Sequence, residues 1–442
     1  MQPIFRIVCS VIIISLGLSC APDSSPPEIV APPVQPPDEI TRWLKQNAIP
    51  LASTEPQSNY DDLLPLKEKI GDAEIVALGS ATLGTHEFFT IQHRLLDFLA
   101  REMNFNLVLL DVNMPESELM NQYIQDGLGK PRELLPVFYK WNYRCEEMLD
   151  IIYWMRNYAL HAGSGNTFEF KGVTAQYPLY AMYQVVDYLS GVDSAAALKA
   201  DSLYLYFRLQ HRSFYHRKKD WLQQVCRDGV VAVYNMLKEN ELLYTSLSSE
   251  AEFERTFRLA YFVIQVERYL ATLSQNIQYE IMAENVDYFF KRGGAGTKII
   301  ILSHNQDINK KAGSLVDLLI NHYGYKVRSV GFTFFKGFFN AQGFDTLTNT
   351  PANPCVQEAL AAPASLYEYF FDYATIPAYI FSLDYLGRPA GSEWLDESKA
   401  LRSVTDVYFP AFPELHFISC NIRDEYDDIV FIRRSTQTTF IF

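Results

Sequence analysis

The sequence has few of the residues on which most metal sites and hydrolase sites are built. Only 8 histidines occur among 442 residues, and there is no His-Glu-x-x-His, no zinc-type cysteine array and no Gly-x-Gly-x-x-Gly. The nucleophile elbow Gly-x-Ser-x-Gly is also absent, which argues against a serine hydrolase of the α/β-hydrolase kind. His211 and His216 lack the i, i+4 spacing that puts two metal ligands on one helical face. We therefore expect neither a metal nor a cofactor.

Nucleotide and nucleic-acid binding are both disfavoured by what is missing. Gly79 and Gly84 have the spacing of a phosphate-binding loop, but Thr85 follows Gly84 where that loop requires a lysine. The chain has 38 Lys and Arg against 52 Asp and Glu, which gives a net charge of -14. This excess of negative charge disfavours binding to nucleic acid and to an anionic membrane surface.

The N-terminal segment has the pattern of a targeting signal. Ile7–Leu18 is an almost entirely apolar run with the length of a signal-peptide h-region, too short to span a membrane. It ends at Ser19-Cys20, which resembles a relaxed bacterial lipoprotein box, so we predict a signal peptide over residues 1–20 and a lipid on Cys20. A plain secretory signal with an incidental cysteine is the alternative. Residues 21–39, rich in proline and serine, are then a tether. We expect the protein in the bacterial cell envelope, lipid-anchored and facing the periplasm or the cell surface.

Four cysteines follow this segment: Cys145, Cys226, Cys355 and Cys420. An extracytoplasmic location permits disulfides, but no Cys-x-x-Cys or other paired spacing indicates which cysteines would pair. Two disulfides and four buried free thiols are therefore both open.

After Ile40 the sequence alternates short apolar runs with longer amphipathic stretches. This alternation indicates an α/β fold with a mostly parallel or mixed sheet flanked by helices. It stops between about residues 177 and 292, where we predict a helical insertion that covers the active edge of the sheet. Residues 40–442 are expected to form one domain that includes this insertion. The predicted strands are Glu74–Leu78, Asn106–Asp111, Phe168–Thr174, Lys298–Leu302, Lys326–Phe332, Tyr379–Leu383 and Asp428–Ile432, and the predicted helices include His86–Met103, Glu146–Leu160 and Ala312–His322.

Two strand-to-loop segments bring polar residues to one edge of the predicted sheet. Residues 73–89 have the pattern of a strand, a tight turn at Gly79 and an amphipathic helix. Residues 297–307 have the pattern of a buried strand followed by His304 and Asp307. Because open α/β folds place their sites at the carboxyl ends of strands, we expect both loops at the functional edge. A histidine at a strand end is often only a hydrogen-bonded structural residue, and Asp307 is either a carboxylate base or a loop cap.

Both loops resemble signatures of the erythromycin esterase family. The first resembles Gly-Glu-x-x-His-Gly, with Ser80 in place of the glutamate and Leu83 in place of the histidine. The second resembles His-Asn-x-His, in which His304 and Asn305 match and Asp307 replaces the second histidine. The scaffold of a hydrolase is kept, whereas residues that would perform the chemistry are replaced.

The resemblance extends over residues 40–442 and includes further replacements. Asp111 stands where the family has a glutamate before a proline-led helix, and Thr174 stands for an aspartate at a strand end. Gln278 and Tyr279 replace an Arg-Asp pair ahead of a closely matching helical segment. If the fold is kept, these positions should cluster at one edge of the sheet.

The resemblance implies a protein that opens macrolide lactones with a water molecule activated by a histidine, which a glutamate orients. General-base catalysis needs a group that accepts a proton near neutral pH, and neither Ser80 nor Leu83 is such a group. The polar residues that remain, and that we predict as catalytic, are His304, Asp307, Asp111 and Glu87.

Two functional hypotheses follow. The first is an erythromycin esterase-like hydrolase with altered or weak activity, which opens a macrolide lactone or a related ester with water. The second is a non-catalytic, membrane-tethered binding protein that keeps the cleft without the chemistry, and the replaced residues slightly favour it. In both cases the expected partner is a small-molecule cyclic ester or another ligand in the cleft. No nucleic acid is expected to bind, and the membrane is reached through the lipid anchor alone.

Overall fold

The structure, a computed structural model, describes residues 37–56, 59–161, 168–211, 215–345, 350–385 and 387–441. The predicted signal peptide, the lipid site at Cys20 and nearly all of the predicted tether lie outside these residues. The chain from Asp38 onward forms one compact unit. In the described part of the chain, every helix is too short or too polar to cross a membrane.

The unit contains the strands β1 (Ala48–Pro50), β2 (Ile75–Leu78), β3 (Leu107–Asn113), β4 (Glu169–Thr174), β5 (Ile299–Leu302), β6 (Val327–Asp345), β7 (Thr350–Ala359), β8 (Ala378–Ser382), β9 (Lys399–Arg402), β10 (Phe417–Cys420) and β11 (Asp428–Ser435). Nine of them form a mixed sheet, in which eight have the spatial order β1-β8-β11-β6-β2-β5-β3-β4 and the ninth, β7, pairs with β6. The strands β9 and β10 pair with each other in a separate sheet. The strands from β11 to β4 are parallel. The strands β7 and β8 run antiparallel to their neighbours β6 and β11.

Helices cover both faces of this sheet. Their bounds are α1 (Asp38–Asn47), α2 (Leu64–Ile70), α3 (His86–Met103), α4 (Met114–Asp126), α5 (Pro131–Leu134), α6 (Glu146–His161), α7 (Leu179–Val192), α8 (Ser194–Gln210), α9 (Asp220–Glu239), α10 (Glu241–Leu247), α11 (Glu250–Thr272), α12 (Gln275–Gly293), α13 (Asn305–Ile308), α14 (Leu315–Tyr323), α15 (Tyr367–Phe371) and α16 (Ile422–Glu425). The predicted α/β fold class is confirmed.

The central strands are continuous apolar runs because helices cover both of their faces. All four residues of β5 are buried, and they alternate between two cores. Ile299 and Ile301 belong to the core on one face, whereas Ile300 and Leu302 belong to the core on the other. The parallel pairing of β5 with β2 and β3 brings the segment after Leu302 to the carboxyl edge of the sheet.

Six helices, α7 to α12, lie between β4 and β5, and the described residues of this span contain no strand. Hydrogen bonds join the last of these helices, α12, to the sheet. Asn285 donates to the carbonyl of Val173 at 2.7 Å, and Tyr279 donates to the carbonyl of Gln306 at 3.2 Å. The second bond brings α12 to the loop that follows β5.

The loops after β2 and β5 are packed against each other at the carboxyl edge. A β-carbon placed on Gly79 would lie 2.1 Å from the Oδ1 atom of Asn305, so only glycine fits there. Asn305 is held in turn by β6, since its amide donates to the carbonyl of Phe332 at 2.7 Å and its Oδ1 accepts from the Phe332 N–H at 3.1 Å. Asn305 therefore links three neighbouring strands.

The structure differs from the sequence prediction in several elements. Strands β1, β7, β9 and β10 were not predicted, and β6 continues to Asp345, well beyond the predicted end at Phe332. Cys145, Cys226 and Cys420 are buried free thiols, whereas Cys355 is a free thiol on the exposed strand β7. The alternative of four buried thiols is therefore wrong for Cys355.

Candidate functional site

A small cavity lies where the loops after β2 and β5 meet. It holds about 20 Å³ in which the centre of a water molecule can move, and one water needs roughly 10–15 Å³ by that measure. Ser80 and Leu83 are half-buried and form its solvent side, and the other lining residues are buried. The polar part of the buried lining comes from Thr82, Gln92, Asn142, Tyr143 and Ser303.

Tyr143 connects this cavity to a buried ion pair. Its hydroxyl donates to Oδ1 of Asp111, and Oδ2 of Asp111 lies 2.5 Å from Nζ of Lys140. Burial raises the pKa of Asp111, although the ammonium of Lys140 opposes part of that effect. Burial lowers the pKa of Lys140, but the combined attraction of Asp111, Asp307 and Asp406 outweighs it and the net shift is upward. Lys140 is therefore a cation at neutral pH beside a carboxyl group of increased basicity.

Ser303 connects the same cavity to a second carboxylate. Its hydroxyl donates to Oδ2 of Asp307 at 2.6 Å, and Oδ1 of Asp307 accepts from the hydroxyl of Tyr279 at 3.0 Å. The charge of Asp307 also raises the pKa of Asp111, so the two carboxylates interact. The site thus has two cavity-lining residues, Tyr143 and Ser303, whose hydroxyl groups are each bonded to a carboxylate.

His304 is buried beneath these loops. Its Nδ1 accepts from the backbone N–H of Gln306 at 3.2 Å and caps α13. A neutral imidazole that accepts at Nδ1 carries its proton on Nε2. This Nε2 is buried and makes no well-formed hydrogen bond among the described residues, although the backbone of Ala81 and Val404 lies near the ring. Burial lowers the pKa of His304, with opposition from the nearby carboxylates. In this arrangement His304 is a neutral cap with no lone pair directed to the cavity.

Glu87 makes contacts of another kind. Its two carboxylate oxygens accept from the backbone N–H of Thr436 at 2.8 Å and from the Thr436 hydroxyl at 2.7 Å. These bonds attach the start of α3 to the C-terminal segment. Glu87 therefore attaches these two segments and does not line the cavity. Its contacts give no support to its predicted catalytic role.

The positions at which this chain replaces residues of the family signatures do not all lie at the cavity. Ser80 and Leu83 lie together at the cavity, and Tyr279 contacts Asp307. Thr174 is buried at the end of β4, and its hydroxyl has no partner among the described residues. Gln278 is half-buried and precedes Tyr279 in α12.

Sequence reasoning missed Lys140 and Tyr143. Both lie in the short connection between α5 and α6, where the second of two short helical turns spans Trp141–Tyr143. No strand or helix periodicity marks them, and only the tertiary structure brings them to Asp111 on β3. Ser303 was within the second loop, and its position directly after a buried strand was the signal that could have singled it out.

Comparison with known proteins agrees with the fold and with the loop motifs. The family model described as erythromycin esterase matches residues 100–435. Erythromycin esterase type II from Escherichia coli is 34% identical over 126 residues, which are 28% of this chain and 30% of that protein. The match therefore spans less than a third of that relative.

Solved structures with the same fold cover nearly the whole unit. A protein from Bacillus cereus has a TM-score of 0.78 with 21% identity, over 91% of this chain and 98% of its own. A protein described as a succinoglycan biosynthesis protein has a TM-score of 0.77 with 20% identity, over 90% of this chain and 97% of its own. A mutant of the erythromycin esterase EreC in its open conformation has a TM-score of 0.67 with 15% identity, over 87% and 97%. At these identities the similarity shows the fold alone.

Proposed function

Because this chain belongs to the erythromycin esterase family, we propose that it is a hydrolase that opens a macrolide lactone or a related carboxylic ester with water, and that its turnover is weak. One observation carries the proposal. The cavity at the carboxyl edge is the size of a water molecule, and two of the residues that line it, Tyr143 and Ser303, have hydroxyl groups bonded to carboxylates. Such pairs are able to accept a proton from water, which is the first requirement of general-base hydrolysis.

The weak turnover follows from the groups at the solvent side of the cavity. Ser80 and Leu83 stand where the family signature has glutamate and histidine. General-base catalysis contributes ~10²–10⁴ in rate, and when two residues act as a unit, replacing them removes most of this contribution. His304 does not compensate, because its Nδ1 is bonded to Gln306 and its Nε2 is buried. The carboxylates of Asp111 and Asp307 are then the proton acceptors of the site.

A binding protein without catalysis is the second candidate. The side chains of Ser80 and Leu83 favour it because they remove both the base and its partner from the part of the cavity nearest to solvent. The buried Nε2 of His304 favours it as well. In this case a ligand would bind at the edge and leave unchanged.

One experiment separates the two candidates. The purified protein is incubated with a macrolide lactone, and the lactone is followed by mass spectrometry while the melting temperature of the protein is measured. A gain of one water by the lactone, beyond that in a sample without protein, supports the hydrolase. A raised melting temperature with no change in the lactone supports the binding protein and contradicts the hydrolase.

We also propose that the protein is a lipid-anchored protein of the bacterial cell envelope. The proposal rests on the apolar run Ile7–Leu18, on Ser19-Cys20 and on the proline-rich segment that follows. In a bacterium that processes lipoproteins, the protein should partition into detergent, and Cys20→Ser should release it into the aqueous phase. An aqueous wild-type protein would contradict the anchor.

A further inference from the structure

Tyr143 is the residue through which the cavity and the buried carboxylate of Asp111 are in contact. The ring of Tyr143 is buried and lines the cavity, and its hydroxyl donates to Oδ1 of Asp111. A phenol that donates one hydrogen bond still has lone pairs that accept another. A water molecule that reaches the Tyr143 oxygen from the cavity would therefore meet an acceptor whose own proton is already directed at a carboxylate.

We propose that Tyr143 is a catalytic residue that relays a proton from the hydrolytic water to Asp111, in place of the histidine that Leu83 replaces. This inference rests on the proposed hydrolase function. As the water oxygen forms a bond to the ester carbonyl carbon, one O–H bond of the water breaks and that proton moves to the Tyr143 oxygen. The Tyr143 proton moves at the same time to Oδ1 of Asp111, and the carbonyl electron pair moves onto its oxygen.

The reverse relay completes the reaction. When the tetrahedral intermediate collapses, the bond between the carbonyl carbon and the alcohol oxygen breaks. The leaving alkoxide takes a proton from Tyr143, which recovers its own from Asp111. The net reaction is ester plus water to acid plus alcohol, and both residues return to their starting states.

Lys140 is a positioning residue for this relay. Its Nζ lies 2.5 Å from Oδ2 of Asp111, so it holds the carboxylate with Oδ1 toward Tyr143. When Asp111 is neutralised by the relayed proton, the ammonium of Lys140 loses its counter-charge, and its positive charge then acts on the oxyanion that forms. A cation that is fixed in place before the reaction stabilises such a charge without reorganisation.

The parallel pair of Ser303 and Asp307 is the weaker candidate for the same role. Both oxygens of Asp307 accept hydrogen bonds from neutral hydroxyl groups, and no described cation forms an ion pair with it. Asp111, in contrast, has the ammonium of Lys140 2.5 Å from its Oδ2 while its Oδ1 accepts from Tyr143. This difference assigns the relay to Tyr143 and Asp111.

The test compares two substitutions that remove the same atom. Tyr143→Phe removes the relay hydroxyl, and Tyr379→Phe removes a buried hydroxyl that is bonded at 2.8 Å to the carbonyl of Phe371 in another part of the fold. Steady-state hydrolysis of p-nitrophenyl acetate and of a macrolide lactone is measured across the acidic pH range. Tyr143→Phe should lower kcat by ~10²-fold or more with little change in KM. It should also abolish the fall in rate at acidic pH that protonation of Asp111 produces, which a merely structural residue would not do.

Each other outcome overturns the proposal in a distinguishable way. If Tyr143→Phe keeps the wild-type kcat and the wild-type pH profile, the relay is wrong and the hydrolase function stands. A large loss of kcat in Ser303→Ala with no loss in Tyr143→Phe would also disprove the Tyr143 relay while the hydrolase function stands, and it would assign the relay to Ser303 and Asp307. If the wild-type protein hydrolyses neither ester, the relay and the proposed function are both wrong. A loss of the same size in Tyr379→Phe would show that the effect is structural and would overturn the assignment.

Discussion

Gly79 and Asn305 are in direct contact, because the Oδ1 atom of Asn305 would lie 2.1 Å from any β-carbon at position 79. The two residues belong to different loops, and their contact holds the loops that form the cavity. Asn305 has no freedom to move aside, since its amide and its Oδ1 are both bonded to the backbone of Phe332. The loops after β2 and β5 therefore stabilise each other through this contact, and that structural role is independent of catalysis.

Gly79→Ala should destabilise the protein by about 1–3 kcal/mol, because overpacking of a fixed contact forces the backbone to shift. Gly191→Ala is the matched control, since a β-carbon there meets nothing within 4 Å and the residue lies in a helix. The control should be neutral or slightly stabilising, by ~0.5 kcal/mol. Urea denaturation measures both variants. Equal stabilities for the two would contradict the packing account of Gly79.

His86 should make the stability of the fold depend on pH. Its Nδ1 lies 2.8 Å from Glu147 and its Nε2 lies 3.2 Å from Glu55. The hydrogen bond to Glu147, opposed by burial and assisted by Glu55, raises the pKa of His86 to about 9. The unfolded value is about 6.5, so the stabilisation is complete below about pH 6.5 and is lost as the pH rises through about 9.

His86→Asn should therefore lower the free energy of unfolding at about pH 6 and should have little effect at about pH 10. His161→Asn, an exposed histidine at the end of α6, is the control and should change neither value. Urea denaturation at the two pH values measures the difference. A constant effect of His86→Asn at both values would show that the imidazole is not held as a cation.

Restoring the family residues at the solvent side of the cavity should increase turnover. Ser80→Glu with Leu83→His supplies an imidazole of near-neutral pKa and a carboxylate to orient it, and we expect kcat to rise by ~10²-fold. Ser80→Gln with Leu83→Asn is the matched control of similar size without a base, and it should leave kcat low. Adding Asp307→His completes the second family motif and should raise turnover further. If the folded triple variant gains nothing, the cleft has diverged toward another ligand through Thr174, Gln278 and Tyr279.

The fold could be predicted largely because its central strands are buried on both faces. Such strands are short, continuous apolar runs, and Ile299–Leu302 is an unambiguous example. The strand β7 could not be found in this way, because it is mostly exposed and contains Pro351 and Pro354, which are rare in strands. Its only strand partner in the described sheet is the long β6, and that pairing depends on tertiary structure.

The site was predictable in part, for a related reason. Leu78, Leu110 and Leu302 are paired in register across three parallel strands, so the residues that follow them had to meet at one edge once the parallel sheet was predicted. Lys140 and Tyr143 lie in an irregular connection, and nothing in their spacing indicates that they reach Asp111. Residues whose positions depend on such connections require the structure.

The most direct test of the account is a comparison of ester hydrolysis by the wild-type protein and by Asp111→Asn. The asparagine keeps the size of the side chain but cannot accept the proton of the hydrolytic water. We measure the release of p-nitrophenol from p-nitrophenyl acetate and the opening of a macrolide lactone at neutral pH, with the melting temperature of each protein as the control for folding. The account predicts slow turnover by the wild-type protein above the uncatalysed rate, and a loss of ~10²-fold or more in folded Asp111→Asn. Absence of turnover in the wild-type protein, or equal turnover in the two proteins, would contradict it.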